Sequence, residues 1–206
     1  MNVPPVTKEN VTKEQYEKVT TDVLPELKKK LPHQLSYHNF DHVIGVIRAT
    51  DYLLQKEGVP ENDRWLLLTA ALFHDIGFLK AYQNHEDLSC DMARETLPSY
   101  GYSKESIEAI CRMIMATKIP QTPLDRYAEI LCDADLFYLG TDSFLPIANN
   151  LFKELKAIGF IKTEKEWDEK QLHFLHQHQY FTKTALAELA PKKNEHVKTL
   201  EGNQKA

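Results

Sequence analysis

The sequence feature that most constrains the fold is an apolar run that ends in two polar side chains. Within residues 66–73 only Thr69 is polar, and His74 and Asp75 follow directly. A helix that is apolar nearly all round must be buried, so this run predicts the central helix of the protein. Gly77 marks the exit of that helix. The pattern therefore predicts a buried helix that delivers an imidazole and a carboxylate at its C-terminal end.

Helical patterns cover most of the remaining chain. Apolar residues recur at intervals of three and four in the segment 107–115, the clearest amphipathic pattern in the sequence. Capping-box spacing, which marks helix starts, occurs at residues 12–15 and 163–166. Pro25 predicts a kink or a restart of the first helix. No useful alternating strand pattern and no internal repeat is present, so the sequence predicts an all-α helical bundle.

Length, charge and cysteine content narrow the class of protein. We expect the 206 residues to form a single domain, with its core at about 12–190 and a polar, partly frayed tail after Pro191. The net charge of −5 argues against general nucleic-acid binding. There is no signal-peptide pattern, no apolar run near the ~20 residues that span a bilayer, and no Cys-x-x-Cys spacing among three cysteines. These features predict a cytoplasmic protein that binds neither nucleic-acid polymers nor membranes.

The adjacent His74 and Asp75 suit a divalent metal. An imidazole nitrogen and a carboxylate oxygen are both good donors for first-row divalent ions. Adjacent helical residues diverge by ~100°, so both side chains reach one ion only near a helix end, which is where this pair lies. The remaining donors must come from other helices. The candidates are His42, Asp133 and Asp135.

The order of these residues resembles the HD superfamily of metal-dependent phosphohydrolases. Ala-Leu-Phe-His-Asp-Ile-Gly at 71–77 and Asp-Ala-Asp-Leu at 133–136 agree with the residues around that family's ligands. The resemblance covers about residues 37–145 and implies an all-α, single-domain bundle of the HD type. The metal ligands that it implies are His42, His74, Asp75 and Asp135. Asp135 is preferred to Asp133 because the family's ligand generally follows an alanine and precedes a large apolar or basic residue.

The segment Tyr-His-Asn-Phe-Asp-His at 37–42 resembles the Tyr-His-Asn-x-x-His signature of cyclic-nucleotide phosphodiesterases, a branch of the same superfamily. In that signature the second His binds metal and the first protonates the leaving alkoxide. The resemblance implies that His42 is a ligand, that His38 is the general acid and that Asn39 contacts substrate. An imidazole, with an ordinary pKa of about 6.5, suits the acid role at neutral pH. The sequence departs from the phosphodiesterases after Asp75, which leaves the substrate open.

Two further residues are implied at the substrate. His85 resembles the His that begins the following helix in many HD proteins, where it binds a second metal or the substrate phosphate. Lys118 would likewise face the phosphoryl group. Two-metal relatives usually carry another His near the position of Thr117, and this sequence has none there. We therefore expect one tightly held divalent ion, and the sequence leaves its identity open among Mn, Fe, Mg, Ni and Zn.

The resemblance implies hydrolysis of a nucleotide or another small phosphoester by metal-activated water. His38 would protonate the leaving oxygen, and Asp75 or Asp135 would orient the nucleophile while ligating the ion. Two alternatives stay open. An HD-fold di-iron oxygenase needs extra histidines, which Thr117 argues against, and a non-catalytic sensing module needs no general acid, which His38 argues against. The sequence also leaves a homodimer open.

Overall fold

The computed structural model describes residues 10–204, and every regular element among them is helical. Ten α-helices follow one another in this part of the chain: α1 (Lys13–Lys30), α2 (Phe40–Lys56), α3 (Glu61–Phe73), α4 (His85–Thr96), α5 (Lys104–Thr117), α6 (Arg126–Asp135), α7 (Phe144–Ala157), α8 (Glu164–Gln177), α9 (Lys183–Glu188) and α10 (Ala190–Gln204). The all-α prediction is confirmed. None of these helices is long and apolar enough to cross a membrane.

The predicted central helix is α3. All of residues 66–73 are buried, and α3 contacts α1, α2, α4, α5 and α6. The one polar side chain of the run, Thr69, is satisfied inside the core because its hydroxyl donates to the carbonyl of Trp65 at 2.7 Å. Helices on all sides therefore fix the C-terminal end of α3 in the interior of the protein.

Side chains cap the helix starts at both predicted capping-box positions. Thr12 and Gln15 form a complete capping box at α1. At α8, Thr163 accepts a hydrogen bond from the N–H of Glu166 at 3.1 Å. The Glu166 carboxylate instead accepts from the N–H of Lys162 at 3.0 Å, so only half of the second box forms.

Helix α1 runs through Pro25 without interruption, so the prediction of a restart there is wrong. A proline removes one backbone N–H from the helical ladder. Val19, Val23 and Leu27 nevertheless stay buried on both sides of the proline. Their packing holds α1 against the core across the missing hydrogen bond.

Buried apolar side chains form two clusters. The larger cluster unites α1 to α6, and the smaller one joins α7 to α10. The clusters meet at the end of α6, where Ala134 belongs to the first and Leu136 to the second. Asp135 lies between these two residues, at the junction of the clusters.

The polar segment after Pro191, which is expected to be partly frayed, is helical as far as residue 204. Residues Ala190–Gln204 form α10, which contacts α8 and α9. Val197 and Lys193 are buried on its inner side, where Lys193 Nζ donates to the carbonyl of Leu175 at 3.2 Å. The core therefore extends beyond residue 190, and the polar composition of this segment belongs mainly to its exposed face.

Candidate metal centre

Three helix ends bring four donor side chains to one point. His42 lies in the first turn of α2, and Asp135 is the last residue of α6. His74 and Asp75 follow the last residue of α3. The Asn39 side chain caps α2 and accepts from the N–H of His42 at 3.1 Å. The local structure that starts α2 thus also fixes the position of His42.

The donor atoms of these residues lie at the distances expected around one ion. Nε2 of His42 is 3.1 Å from Nε2 of His74, and 3.2 Å from Oδ2 of Asp75 and Oδ1 of Asp135. Nε2 of His74 is 3.2 Å from the same Asp75 oxygen and 3.6 Å from the Asp135 oxygen. Ligands about 2.0–2.2 Å from a shared ion lie roughly 2.8–3.6 Å from one another. The two imidazole nitrogens and the Asp135 oxygen therefore fit one divalent ion, and Asp75 lies 3.2 Å from both imidazoles at its edge.

The hydrogen bonds around the cluster favour a cation at its centre. His74 Nδ1 donates to the carbonyl of Ala71 at 2.7 Å, which leaves Nε2 as the nitrogen that can bind a metal. Oδ2 of Asp75 is buried. Although it lies 3.2 Å from both imidazole nitrogens, it makes no well-oriented hydrogen bond with any residue that the structure describes. A buried carboxylate oxygen without a partner costs free energy, which coordination to a cation would offset.

The electrostatics of the cluster also favour positive charge. Burial lowers the pKa of His42, but the carboxylates of Asp135 and Asp75 raise it to about 10. Burial also lowers the pKa of His74, but the charge and hydrogen bond of Asp75 outweigh burial, so the pKa of His74 is raised. Burial raises the pKa of Asp75, yet His74 and His42 hold it well below its usual range. A divalent cation would replace the protons of these imidazoles when it binds.

His38 lies beside the cluster and is held by Glu154 of α7. Nδ1 of His38 is 2.5 Å from Oε1 of Glu154. The other Glu154 oxygen accepts from the N–H groups of Tyr37 and His38, at 2.8 and 3.0 Å. The His38 ring stacks on Phe78, with ring centroids 4.3 Å apart. These contacts fix Nδ1, so Nε2 is the nitrogen that remains for a ligand in the adjoining cavity.

Sequence reasoning missed Glu154. Its carboxylate is fully buried, and the Tyr82 hydroxyl also donates to it at 3.1 Å. Burial raises the pKa of Glu154, but the hydrogen bond and charge of His38 hold it below its usual value. The available signal is a glutamate on the apolar face of α7, at helical spacing from Ile147 and Leu151. A charged side chain at such a position needs a buried partner.

His85 and Lys118 lie on the same cavity but at different distances from the cluster. Nε2 of His85 is 3.5 Å from Oδ1 of Asp75, and its Nδ1 donates to the carbonyl of Tyr82 at 3.1 Å. His85 therefore directs one nitrogen at the cluster. Lys118 lies farther out, where its Nζ pairs with Asp87 at 3.1 Å on the surface.

Asn39, which is expected to contact substrate, has a side chain engaged in local hydrogen bonds. Both ends of its side chain are already used, because the amide oxygen caps α2 and the amide nitrogen donates to the carbonyl of Ser36 at 2.8 Å. Asn39 also does not line the large cavity beside the cluster. It lines a smaller cavity together with His42 and Asp135, and its cap fixes the start of α2 that carries His42.

The two candidate aspartates of α6 have different surroundings. Asp133 faces away from the cluster and accepts from the N–H groups of Phe181 and Thr182 and from the Thr182 hydroxyl, at 3.0, 2.8 and 2.7 Å. Burial raises the pKa of Asp133 to about 6. Asp133 thus ties the segment before α9 to α6, whereas Asp135 faces His42.

The family model of the HD domain matches residues 39–138. The protein carries an HD domain. This domain defines a superfamily of metal-dependent phosphohydrolases. The matched segment contains His42, His74, Asp75 and Asp135, whereas His38 and Glu154 lie outside it.

Solved structures share the fold over nearly the whole chain. The crystal structure of a Lactobacillus plantarum protein is similar with a TM-score of 0.66 and 19% identity, over 95% of this chain and 99% of that one. Bacillus subtilis YpgQ in complex with ADP gives a TM-score of 0.60 at 19% identity, over 92% and 96% of the two chains. A further YpgQ crystal structure gives 0.59 at 19% identity, over 90% and 97%. No curated protein matches the sequence.

A cavity of about 750 Å³ adjoins the HD-domain cluster. The HD segment supplies most of its polar wall, which includes Asp75, His85, Lys118 and Asp135. The chain after the HD segment supplies an apolar wall from α7, α8 and the loop between them. This wall includes Leu151, Leu155, Phe160, Trp167 and Phe174. The cluster is therefore accessible from a cavity with one polar and one apolar side.

Proposed function

We propose that the protein is a metal-dependent phosphoric ester hydrolase that acts on a small phosphoester. The observation that carries this proposal is the convergence of two imidazoles and the Asp135 carboxylate, with Asp75 3.2 Å from both imidazoles, beside a cavity of about 750 Å³. Membership of the HD superfamily supports the reaction class. The ADP in the similar YpgQ structure supports a small phosphorylated ligand.

In this proposal His42, His74, Asp75 and Asp135 hold one divalent ion tightly. Their mixed nitrogen and oxygen donors suit Mn, Fe, Ni or Zn, and the carboxylates also suit Mg. A bound ion would lower the pKa of a water molecule and neutralise charge on the phosphoryl oxygens. Asp75 would accept a hydrogen bond from the attacking water and so orient it toward phosphorus.

His38 would act as the general acid. Its Nδ1–H is donated to the Glu154 carboxylate, so Nε2 is the nitrogen that carries the transferable proton. When the bond from phosphorus to the leaving oxygen breaks, that proton moves from Nε2 to the oxygen. Glu154 acts as a positioning residue, because it fixes the His38 ring and touches no substrate.

His85 and Lys118 would bind the phosphoryl group. His85 lies next to Asp75 on the polar wall of the cavity. The pair between Lys118 and Asp87 is exposed and therefore weak, so a phosphate can take the place of the Asp87 carboxylate. Both residues would then counter the charge of the phosphoryl oxygens, His85 from beside His38, whose ring centroid is 5.9 Å away.

We also propose that the HD segment and the helices after it work as one catalytic unit. The polar wall comes from the HD segment, while Glu154 and the apolar wall come from α7 and α8. A chain cut after residue 138 would therefore lack both the partner of His38 and half of the cavity.

A metal add-back assay tests the proposal. The protein is stripped with a chelator and then given Mn²⁺, Fe²⁺, Ni²⁺, Zn²⁺ or Mg²⁺ singly, and phosphate release is measured from a panel of phosphomonoesters and phosphodiesters that includes nucleotides. We expect turnover that depends on the added ion, and the panel also decides between monoesters and diesters. If metal binds but no substrate is hydrolysed with any ion, the protein is a binding module and the proposal fails.

A further inference from the structure

We propose that the substrate carries a large apolar organic group, which binds between α7 and α8 while its phosphate faces the metal centre. This inference rests on the proposed function, because it names the substrate class of the same site. It is drawn from the composition of the two cavity walls and of the cavity mouth.

The apolar wall offers surface that only a ligand can cover. Leu151 and Leu155 of α7 and Trp167 and Phe174 of α8 all line the cavity, and each is only partly buried. Part of the surface that they leave uncovered is cavity wall. Covering such surface with an apolar ligand is favourable in proportion to the area removed from water.

Apolar surface continues to the mouth of the cavity. Phe160 and Ile119 both line the cavity, and each is 55% exposed. The Phe160 ring centroid is 6.1 Å from that of Tyr82, whose hydroxyl donates to Glu154. The mouth therefore adjoins the residues that hold His38. Exposed apolar side chains grouped at a cavity are typical of a ligand-binding surface.

The same wall offers few hydrogen bonds to a nucleoside. Apart from the indole N–H of Trp167, its polar groups are those of Lys170, which is exposed, and Gln171, which is only 8% exposed. The Gln171 amide makes no hydrogen bond with the part of the chain that the structure describes. A ribose and a base present many donors and acceptors, and leaving most of them unpaired would weaken binding. One buried amide suits an organic group with a single polar atom, such as a carbonyl or an ether oxygen.

The charges on the polar wall suit one phosphoryl group rather than a polyphosphate. Lys118 is the lysine on this wall, and its exposed pair with Asp87 can give way to one phosphoryl group. Glu86 lines the same wall and adds negative charge. The ion, His85 and Lys118 would engage the first phosphoryl group, which leaves Lys170 as the remaining lysine of the cavity for a diphosphate or triphosphate chain.

The inference is tested by binding, which needs no turnover. A series of n-alkyl phosphonates from ethyl to decyl is titrated calorimetrically into the metal-loaded protein, with adenosine 5′-monophosphate as the nucleotide comparison. We expect Kd to fall by up to about fourfold for each added methylene until the apolar wall is covered. We also expect the octyl phosphonate to bind more tightly than the nucleotide.

Three variants sharpen the test. Leu155→Trp should fill the apolar side of the cavity and flatten the dependence of Kd on chain length. Leu145→Trp is the matched control, because Leu145 lies on the same helix, is 57% exposed and does not line the cavity. Gln171→Leu should leave the binding of the unsubstituted alkyl chains unchanged or strengthen it.

A Kd that does not depend on chain length overturns the inference, and this result on the unchanged protein decides the matter even if Leu155→Trp fails to fold. The inference is also overturned if the nucleotide binds more tightly than the octyl phosphonate and Gln171→Leu weakens the binding of the nucleotide. That result would favour a nucleoside site. The two proposals can fail separately. Chain-length-dependent binding without hydrolysis of any ester contradicts only the proposed reaction, and hydrolysis without chain-length dependence contradicts only the substrate class.

Discussion

Glu154 and His38 are joined by a hydrogen bond of 2.5 Å although 116 residues separate them in the sequence. Glu154 belongs to α7, whereas His38 lies just before α2 and the HD segment. The contact therefore exists only when the C-terminal helices pack against the HD segment. It also gives the proposed general acid a buried carboxylate partner, which is the arrangement that fixes the orientation and tautomer of an imidazole.

Replacing Glu154 with glutamine tests this relationship. Glu154→Gln keeps the volume of the side chain but removes the charge that holds Nδ1 of His38. We expect both Glu154→Gln and His38→Asn to slow hydrolysis of alkyl phosphoesters, with His38→Asn losing the ~10²–10⁴-fold typical of a lost general acid. A p-nitrophenyl ester needs little protonation and should lose less. The double variant should be no slower than His38→Asn alone, because the two residues act as a unit.

The matched control is Glu201→Gln. Glu201 pairs with His176 at 3.2 Å on the surface. Like Glu154→Gln, this variant therefore replaces a glutamate that has a histidine partner. Its rates should equal those of the unchanged protein. Equal losses on alkyl and aryl esters in Glu154→Gln would show that the buried pair is structural and does not position a proton donor.

The metal ligands are tested by His74→Ala and Asp75→Ala. Each variant removes one donor from a cluster of four, so we expect each to lose most of the bound metal and all measurable hydrolysis. Elemental analysis of protein purified without chelator measures the metal. His176→Ala is the control, since it removes an imidazole that is 53% exposed and far from the cluster in sequence. A full complement of metal in both ligand variants would contradict the assignment.

The fold was largely predictable because most helices carry their own local signals. The apolar run at 66–73 predicts α3, and the capping pattern at residues 12–15 predicts the start of α1. The four donors could be named because they occur in short local motifs. The structure then brings them together at the ends of α2, α3 and α6.

The parts that could not be predicted depend on contacts between distant segments. Periodicity places Glu154 on the inner face of α7, but nothing local shows that His38 is its partner. The same holds for α10, in which only a narrow inner face with Val197 and Lys193 is buried. Such a face cannot be recognised in a mainly polar sequence, because one or two buried positions give only a weak helical periodicity.

Gly77 should tolerate no side chain. A Cβ built there would lie 2.0 Å from the carbonyl oxygen of His85 and 2.9 Å from the backbone nitrogen of Ser89. Gly77→Ala must therefore push α4 and His85 away from the cluster, and we expect it to lower the free energy of unfolding by about 1–3 kcal/mol. Denaturant unfolding measures the loss. Gly45→Ala is the matched control, because Gly45 lies inside α2 and a Cβ built there meets nothing within 4 Å. We expect this variant to raise the free energy of unfolding by about 0.5–1 kcal/mol. Equal stability of the two variants would refute the steric argument.

His178 should make the fold sensitive to acid. Its Nε2 is buried without a hydrogen-bond partner among the described residues, and its Nδ1 is 3.3 Å from Lys193 Nζ. Burial, and then the charge of Lys193, lower the pKa of His178 to about 3. An unfolded histidine titrates at about 6.5, so below that pH the unfolded state binds a proton that the folded state refuses. Stability is therefore complete above pH 7 and falls as the pH drops, by about 2 kcal/mol between pH 7 and pH 5.

The variant His178→Phe separates this contribution from other acid effects. Unfolding free energies are compared at pH 7 and pH 5 for the unchanged protein, His178→Phe and the control His173→Phe, in which the replaced histidine is exposed on α8. We expect the difference in unfolding free energy between pH 7 and pH 5 to become smaller only in His178→Phe. The same difference in all three proteins would mean that His178 titrates normally in the folded state.

The number of metal ions separates a hydrolase from a di-iron oxygenase. A second ion beside the first would find Oδ1 of Asp75, Nε2 of His85 at 3.5 Å from it, and Oε1 of Glu86 at 3.4 Å from that nitrogen. Thr117 offers it nothing, because its hydroxyl is buried and donates to the carbonyl of Ile114 at 2.8 Å. A second ion held by one imidazole, carboxylate oxygens and water would be exchangeable, and hard ions such as Mg²⁺ or Mn²⁺ suit such an oxygen-rich shell. We therefore expect one ion per chain to survive gel filtration and hydrolysis to be unchanged when oxygen is removed.

Thr117→His should increase the retention of a second ion. Two irons per chain in the unchanged protein, with a coupled mixed-valent signal, would mean that a donor other than these holds the second iron, and the oxygenase would then be the better assignment.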